Sequence, residues 1–294
     1  MLTNLIKQSL YSFYPKQSLQ KYKLDLAYIF HTEWIYHQKT FEGLIHFCAN
    51  YKALTGKKAI CTIMTAVNPL IADGMKKEQC SNELFVARVK QLSEIATIGY
   101  HGHFWLDEAK FKEAVYAIHS STFDAEKFLP QLERDLNWFE KNSIQHHGIY
   151  AGGWWFFNAF LAKQLMKHQF KTDYSFSKAP YFYNAYAMEL MNANQLKTGE
   201  ALLLKSSENK QLLCIQNLIG AHDSPFPLDF DRNLKKILDA ENCLGVINAH
   251  DYDRSFSTTL KCIEHLLTES KANFHNHEEI VNLALERNPK VQLI

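Results

Sequence analysis

Two histidines stand one residue apart in His101-Gly102-His103, where an apolar stretch from Thr97 runs out into aromatic residues. If that stretch is a strand, side chains two apart share a face, and both imidazoles point the same way. Two imidazoles on one face bind one divalent metal through ring nitrogens. A carboxylate from another strand completes a set of three and leaves positions open for water. Glu33, in His31-Thr32-Glu33-Trp34, is the candidate carboxylate. Taken alone, an H-x-H is equally a pair of polar side chains at a strand end, held by backbone or water. Tyr150-Ala151-Gly152-Gly153-Trp154 sets two glycines where backbone N–H groups can approach a ligand, or where the chain merely turns. Trp154 and Trp155 have faces for a sugar ring, and equally for a core. His250, in Asn248-Ala249-His250-Asp251, has the side chain of a general acid with an ordinary pKa of about 6.5, or of a buried histidine. His146 and His147 precede a strand and read as surface residues. His275 and His277 lie near the start of the C-terminal helix, and His277 with Glu278 reads as its cap.

The elements that must carry these groups follow from periodicity. Strand-length apolar runs span Leu24–His31, Ala59–Ala66 (closed by Asn68-Pro69), Thr97–Phe104, Gly148–Ala151, Phe170–Ser175 and Leu244–Ala249. Ala201–Ile219 reads as two strands about a polar turn at Ser206–Lys210. Helical periods lie between them: Tyr36–Leu54, stopped by Gly56; a stretch with Phe85, Val86, Val89 and Leu92 on one face; one with Phe128, Leu132, Leu136 and Phe139, capped by Asp124; and others near Asn158, Leu234–Ala240 and Thr258–Thr268. This alternation, without linker or repeat, predicts one α/β domain with a parallel sheet closed as a barrel. In such folds reactive side chains sit just past the C-terminal ends of strands, which is where the clusters fall.

Composition narrows the class. Of 294 residues, 47% are hydrophobic and 21% charged, enough to bury a sizeable core and too apolar for a disordered chain. Lys and Arg number 32 against 31 Asp and Glu, so charge gives no reason to expect nucleic acid or an anionic membrane as partner. No apolar run approaches a membrane span, and the first residues lack the apolar core of a secretory leader. Cys48, Cys61, Cys80, Cys214, Cys243 and Cys262 form no C-x-x-C pair, which predicts reduced thiols in a cytoplasmic protein.

With its clusters in order, the chain resembles the polysaccharide deacetylases, the NodB-homology carbohydrate esterases of family 4, from about Asp25 to the C-terminal helix. The motifs that carry the resemblance are Ala59-Ile60-Cys61-Thr62-Ile63, Glu94-Ile95-Ala96 leading to His101, Tyr150 to Trp154, Gln169 to Ser175, and His250-Asp251-Tyr252. The resemblance implies a distorted (β/α) barrel of about seven parallel strands. It implies a single domain over 1–294 with its core at about 22–285. It further implies a divalent metal ion, zinc above others, that activates water against an N-acetyl or O-acetyl group of a carbohydrate. Carried over by position, Glu33 and His101 are metal ligands and His250 the late catalytic histidine.

Three positions depart from the family pattern. His31 stands at its first aspartate, Trp105 at its second metal histidine, and Tyr150 at the arginine that orients the aspartate. His31 is then the base with His103 supplying the missing nitrogen, or His31, Glu33 and His101 are the ligands, or metal and catalysis are lost. His31, Tyr150 and His250 are the expected catalytic positions, and Glu33, His101 and His103 the expected ligands. Trp34, Trp105, Gly152, Gly153, Trp154 and Asp251 are the expected contacts to substrate. Two other functions fit these residues. One is a non-catalytic saccharide binder using Trp34, Trp105, Trp154 and Trp155; the other is a metallo-amidohydrolase acting on a small amide.

Overall fold

The computed structural model describes residues 21–119, 121–177, 184–220, 233–253, 256–270 and 272–294, so the N-terminal stretch without the apolar core of a leader lies outside the described residues. The strands are β1 (Lys23–Thr32), β2 (Ile60–Ile63), β3 (Thr97–Gly102), β4 (Ile149–Gly152), β5 (Thr172–Asp173), β6 (Leu202–Lys205), β7 (Gln211–Cys214), β8 (Asn217–Gly220), β9 (Asn242–His250), β10 (Asn273–Phe274) and β11 (Lys290–Leu293). They form one sheet in the order β11-β6-β7-β5-β4-β3-β2-β1-β9-β8, with β10 beside the start of β1. Among the described strand pairs, only the β6–β7 hairpin is antiparallel. The run from β7 into β8 is shared between two neighbours. Ile215 N donates to Asp173 O (3.0 Å) and Asn217 N to Phe176 O (2.7 Å), while Val246 N donates to Gln216 O (2.9 Å) on the β9 side. The parallel strands β1, β2, β3, β4, β5, β7–β8 and β9 thereby curl into the expected distorted (β/α) barrel.

The pleat sorts the barrel strands into two cores. Facing the helices, Leu26, Tyr28 and Phe30 of β1 join a large outer core with Phe47 and Tyr51. Facing inward, Ala27 and Ile29 meet Ile60, Ile149, Ala151, Leu213, Ile215, Leu244 and Val246. The same inward rows continue up the barrel, from Ala27 and Ile29 to His31 on β1 and from Leu244 and Val246 to His250 on β9. An apolar plug thus passes into a polar mouth at the strands' C-terminal end.

The helices are α1 (Gln38–Thr55), α2 (Pro69–Lys77), α3 (Asn82–Ile95), α4 (Ala125–Lys141), α5 (Ala159–Lys167), α6 (Ala185–Ala193), α7 (Phe256–Glu269) and α8 (His277–Glu286). Gly56 ends α1 at φ 73°, and Asp124 and Asn158 cap α4 and α5, as the sequence predicts. Helix α2 is not foreseen. Asn68-Pro69 closes the second strand and also opens this helix, with Asn68 Oδ1 accepting from Leu70 N and Pro69 at the first turn. Ala201–Ile219 holds three strands where two are predicted. Helix α8 is capped by Asn276, not by His277, in a capping box with Glu279.

Asp135, on α4, is buried where Thr65 Oγ1 and Tyr100 O–H donate to its two oxygens at 2.7 Å each. Burial pushes its carboxyl up to about 6 in spite of these donors. The folded state therefore holds this proton more tightly than the unfolded chain. The carboxyl's contribution to stability is full below about pH 4 and is lost as pH rises through about 6. Both donors are hydroxyls, which can turn and accept, so an amide fits the same place. Asp135→Asn is expected to gain on the unaltered protein between about pH 4 and pH 7, by at most about 3 kcal/mol. Urea unfolding at the two pH values measures this, and an equal change at both would refute it.

Candidate metal centre

Glu33, one residue past β1, and His101 and His103, at the end of β3, bring one ligand atom each into a single buried group. Glu33 Oε1 lies 3.3 Å from His101 Nε2 and 3.5 Å from His103 Nε2, and the two Nε2 atoms are 3.1 Å apart. Zinc bonds of about 2.1 Å at tetrahedral angles set ligand atoms about 3.4 Å apart, so the triangle matches one face of such a site. His101 Nδ1 donates to the Ala151 carbonyl at 2.8 Å, which leaves the Nε2 lone pair directed at the centre of the group. The donor set therefore suits a divalent cation. Burial works to raise the Glu33 carboxyl, but the two imidazoles beside it outweigh burial and hold it well below its usual range. Burial lowers His101, keeping it in the neutral form a ligand needs.

His103 is boxed in. Asn68 Nδ2 donates to its carbonyl at 2.9 Å, the Trp105 ring lies against it at 6.3 Å and 29°, and the Trp154 ring at 6.0 Å. A Cβ on Gly153 would fall 2.1 Å from His103 Cδ2. Glycine at that position is thus required by the imidazole's place. Asn68 carries no chemistry of its own and was not expected here; the Asn-Pro start of α2 is the signal that could have found it.

His31 lies beside the ligand group and outside it. Its ring stacks on His101 at 4.5 Å and 27°, meets His250 edge-on at 5.0 Å, and lies 4.8 Å from Trp155. Burial first, then the neighbouring imidazoles, hold it well below its usual pKa, so it is neutral, and its Nε2 is buried without a hydrogen-bond partner. Of the arrangements open from sequence, the geometry joins His103, not His31, to Glu33 and His101. His250 Nε2 approaches Glu33 Oε1 to 3.9 Å from the more open side, its ring stacked on Tyr252 at 4.7 Å.

Several expectations are corrected. Tyr150 is no neighbour of these groups. The pleat turns its ring to the helix side, where it packs on Tyr100 at 5.6 Å in the outer core. Asp251 does not face a substrate, since its carboxylate is wholly buried and accepts from Glu33 N and Trp34 N. Burial pushes that carboxyl up to about 8. Gly152 N–H, a candidate donor to an oxyanion, is committed to Ser175 Oγ at 2.8 Å, and Ser175 Oγ in turn donates to Asp173. Trp105 is buried, and Gln131 binds both its N–H and its carbonyl, so it supports His103 rather than meeting a ligand. Trp154, by contrast, is 52% exposed and held at φ 53°, a left-handed conformation that costs an aromatic residue about 1–2 kcal/mol. Trp34 is half-buried, 5.7 Å from Tyr252. His146 is not a free surface residue. It stacks on Phe170 at 4.5 Å, and burial lowers it to about 4. It lines an open cleft of about 1110 Å³ at the opposite end of the barrel, which holds none of the ligand group.

No protein-family model matches the sequence, and no curated protein matches it. Solved structures do match in fold. A structure from Mycobacterium smegmatis provisionally named a polysaccharide deacetylase aligns with a TM-score of 0.62 at 10% identity, over 93% of this chain and 94% of that one. The 4-alpha-glucanotransferase from Thermococcus litoralis aligns with a TM-score of 0.55 at 10% identity, over 92% of this chain and 41% of that one. By the curl of its sheet and by a likeness that spans nearly the whole of both chains, this chain shares the fold of the structure named as a polysaccharide deacetylase.

Proposed function

We propose that the protein hydrolyses an N-acetyl or O-acetyl group on a carbohydrate, with one divalent cation, zinc foremost, held by Glu33, His101 and His103. The observation that carries this reading is the convergence of those three ligand atoms at the mouth of the barrel. A bound cation would supply Lewis acidity to the acyl carbonyl and to the attacking water. Beside it, His31 stays uncharged and so does not repel a cation. We assign the base to its unpartnered Nε2. A nitrogen held so far below its usual pKa is a weak base, and its contribution is correspondingly small. His250 Nε2, on the open side of Glu33, delivers the proton to the departing amine or alcohol. The exposed face of Trp154 at the rim suits stacking on a sugar ring. The burial of Cys48, Cys61, Cys80, Cys214 and Cys243 as thiols supports a reducing, cytoplasmic setting.

Glycosyl transfer, the chemistry named for the second structural neighbour, is a weaker fit. It generally uses two carboxylates flanking the scissile bond, about 5–9.5 Å apart. Here Glu33 is engaged by imidazoles, and Asp251 is buried against backbone N–H groups.

Acetate release from acetylated chito- and xylo-oligosaccharides, after loading with zinc, cobalt or manganese, tests the proposal. His250→Gln is expected to lower kcat by about 10²–10⁴-fold, the usual share of a general acid, while zinc affinity changes only a few-fold. An unchanged kcat would remove the acid from His250. Saccharide binding without acetate release under any of the three metals would instead establish the non-catalytic reading.

A further inference from the structure

Resting on the ligand set proposed above, we infer that Asp251 is the positioning residue that assembles it. The ladder of β1 ends at Thr32, and Glu33 stands beyond that support. Asp251 Oδ1 accepts from Glu33 N at 2.9 Å, and Oδ2 from Trp34 N at 2.7 Å. One carboxyl group gripping two consecutive amides fixes the peptide plane between them. It thereby fixes the direction in which the Glu33 side chain leaves the backbone. Asp251 also follows His250 directly, and His250 is in register with His31 across the β1–β9 pair. A single buried side chain thus ties the ligand-bearing end of β1 to the end of β9 that carries His250.

The chemistry asks for a carboxyl group at this place, since both of its oxygens keep a lone pair whether or not it carries a proton. Two N–H donors need two acceptor oxygens, and an amide has only one. Asp251→Asn keeps the shape but sets an N–H₂ group against one of the two backbone N–H groups. Asp251→Ala leaves both buried amides without a partner. Either change frees Glu33 to leave the triangle it makes with His101 and His103, with no ligand atom altered.

The test is zinc affinity of the full-length protein by competition with a chromophoric chelator, together with hydrogen exchange at the Glu33 and Trp34 amides. Asp251→Ala is expected to weaken zinc binding by about 10–100-fold, as loss of a group that orients a ligand does. Exchange at the two amides should rise in the metal-free protein. Asp251→Asn carries the same expectation and serves if the alanine variant does not fold. Asp135→Asn, which alters a buried carboxyl on the helix side of the sheet, should leave zinc affinity unchanged. Unaltered zinc affinity and exchange in a folded Asp251 variant, with binding lost in Glu33→Ala, would overturn this inference alone. Undetectable zinc binding by the unaltered protein would overturn the ligand set and this inference with it.

Discussion

Glu33→Gln is expected to abolish tight zinc binding, weakening it by more than the about 10–100-fold that loss of an outer partner costs, and to reduce acetate release to background. The substitution keeps the side chain's length and leaves its backbone N–H for Asp251, so the effect isolates the carboxylate's charge. That charge faces two imidazoles, at 3.3 and 3.5 Å, on a side chain that is almost wholly buried. A neutral amide presents one oxygen to a cation, and only as a dipole, beside two neutral nitrogens. Such a site must take a dication out of water without a compensating anion, and desolvation then opposes binding. His31 and His250 cannot make up the loss as neutral rings, and as charged rings they would repel the cation. Chelator competition and metal analysis after loading give the measurement. Zinc held as tightly by Glu33→Gln as by the unaltered protein would show that the three atoms meet for some reason other than a cation.

The fold and much of the ligand group were legible because both follow the pleat. His101 and His103 share a face by parity, and so do His31 and Glu33 just above the inward-facing Ala27 and Ile29. Tyr150 shows what motif position alone misses. It occupies the arginine's place in the motif, yet it is one residue off the inward row of Ile149 and Ala151, and its ring goes to the helices. Asp251 shows a second limit. A carboxylate next to a candidate acid reads as a substrate contact, and nothing local reveals that two amides 217 and 218 residues away will claim it. Short elements escaped for a simpler reason. Strand β10 has two residues, too few for any period to register, whereas β5, equally short, falls inside the expected run Phe170–Ser175. In β11 the alternation is there, but Val291 and Leu293 are exposed, so its apolar residues mark no buried face.

Gly153→Ala should be nearly as damaging as loss of a ligand, although it adds a single methyl group and alters no polar atom. Gly153 does not have a positive φ, so alanine meets no backbone penalty and the effect is purely one of space. That methyl would lie 2.1 Å from His103 Cδ2, 2.3 Å from Nε2 and 2.4 Å from Cγ, where contact distances are about 3.5–4 Å. The ring must therefore move by more than 1 Å, or the turn at Trp154 must lift. The ring has nowhere to go without cost, because Trp105 and Trp154 flank it and Asn68 holds its carbonyl. We expect a loss of about 1–3 kcal/mol in stability from overpacking, with zinc affinity reduced at least tenfold in the protein that remains folded. A double-mutant cycle separates the contact from any general damage to β4. In a His103→Ala background the methyl has room, and most of the stability cost of Gly153→Ala should disappear, giving a coupling of about 1–3 kcal/mol. Equal costs in both backgrounds would mean that His103 does not rest on Gly153, and that the triangle of ligand atoms is held differently from the arrangement described.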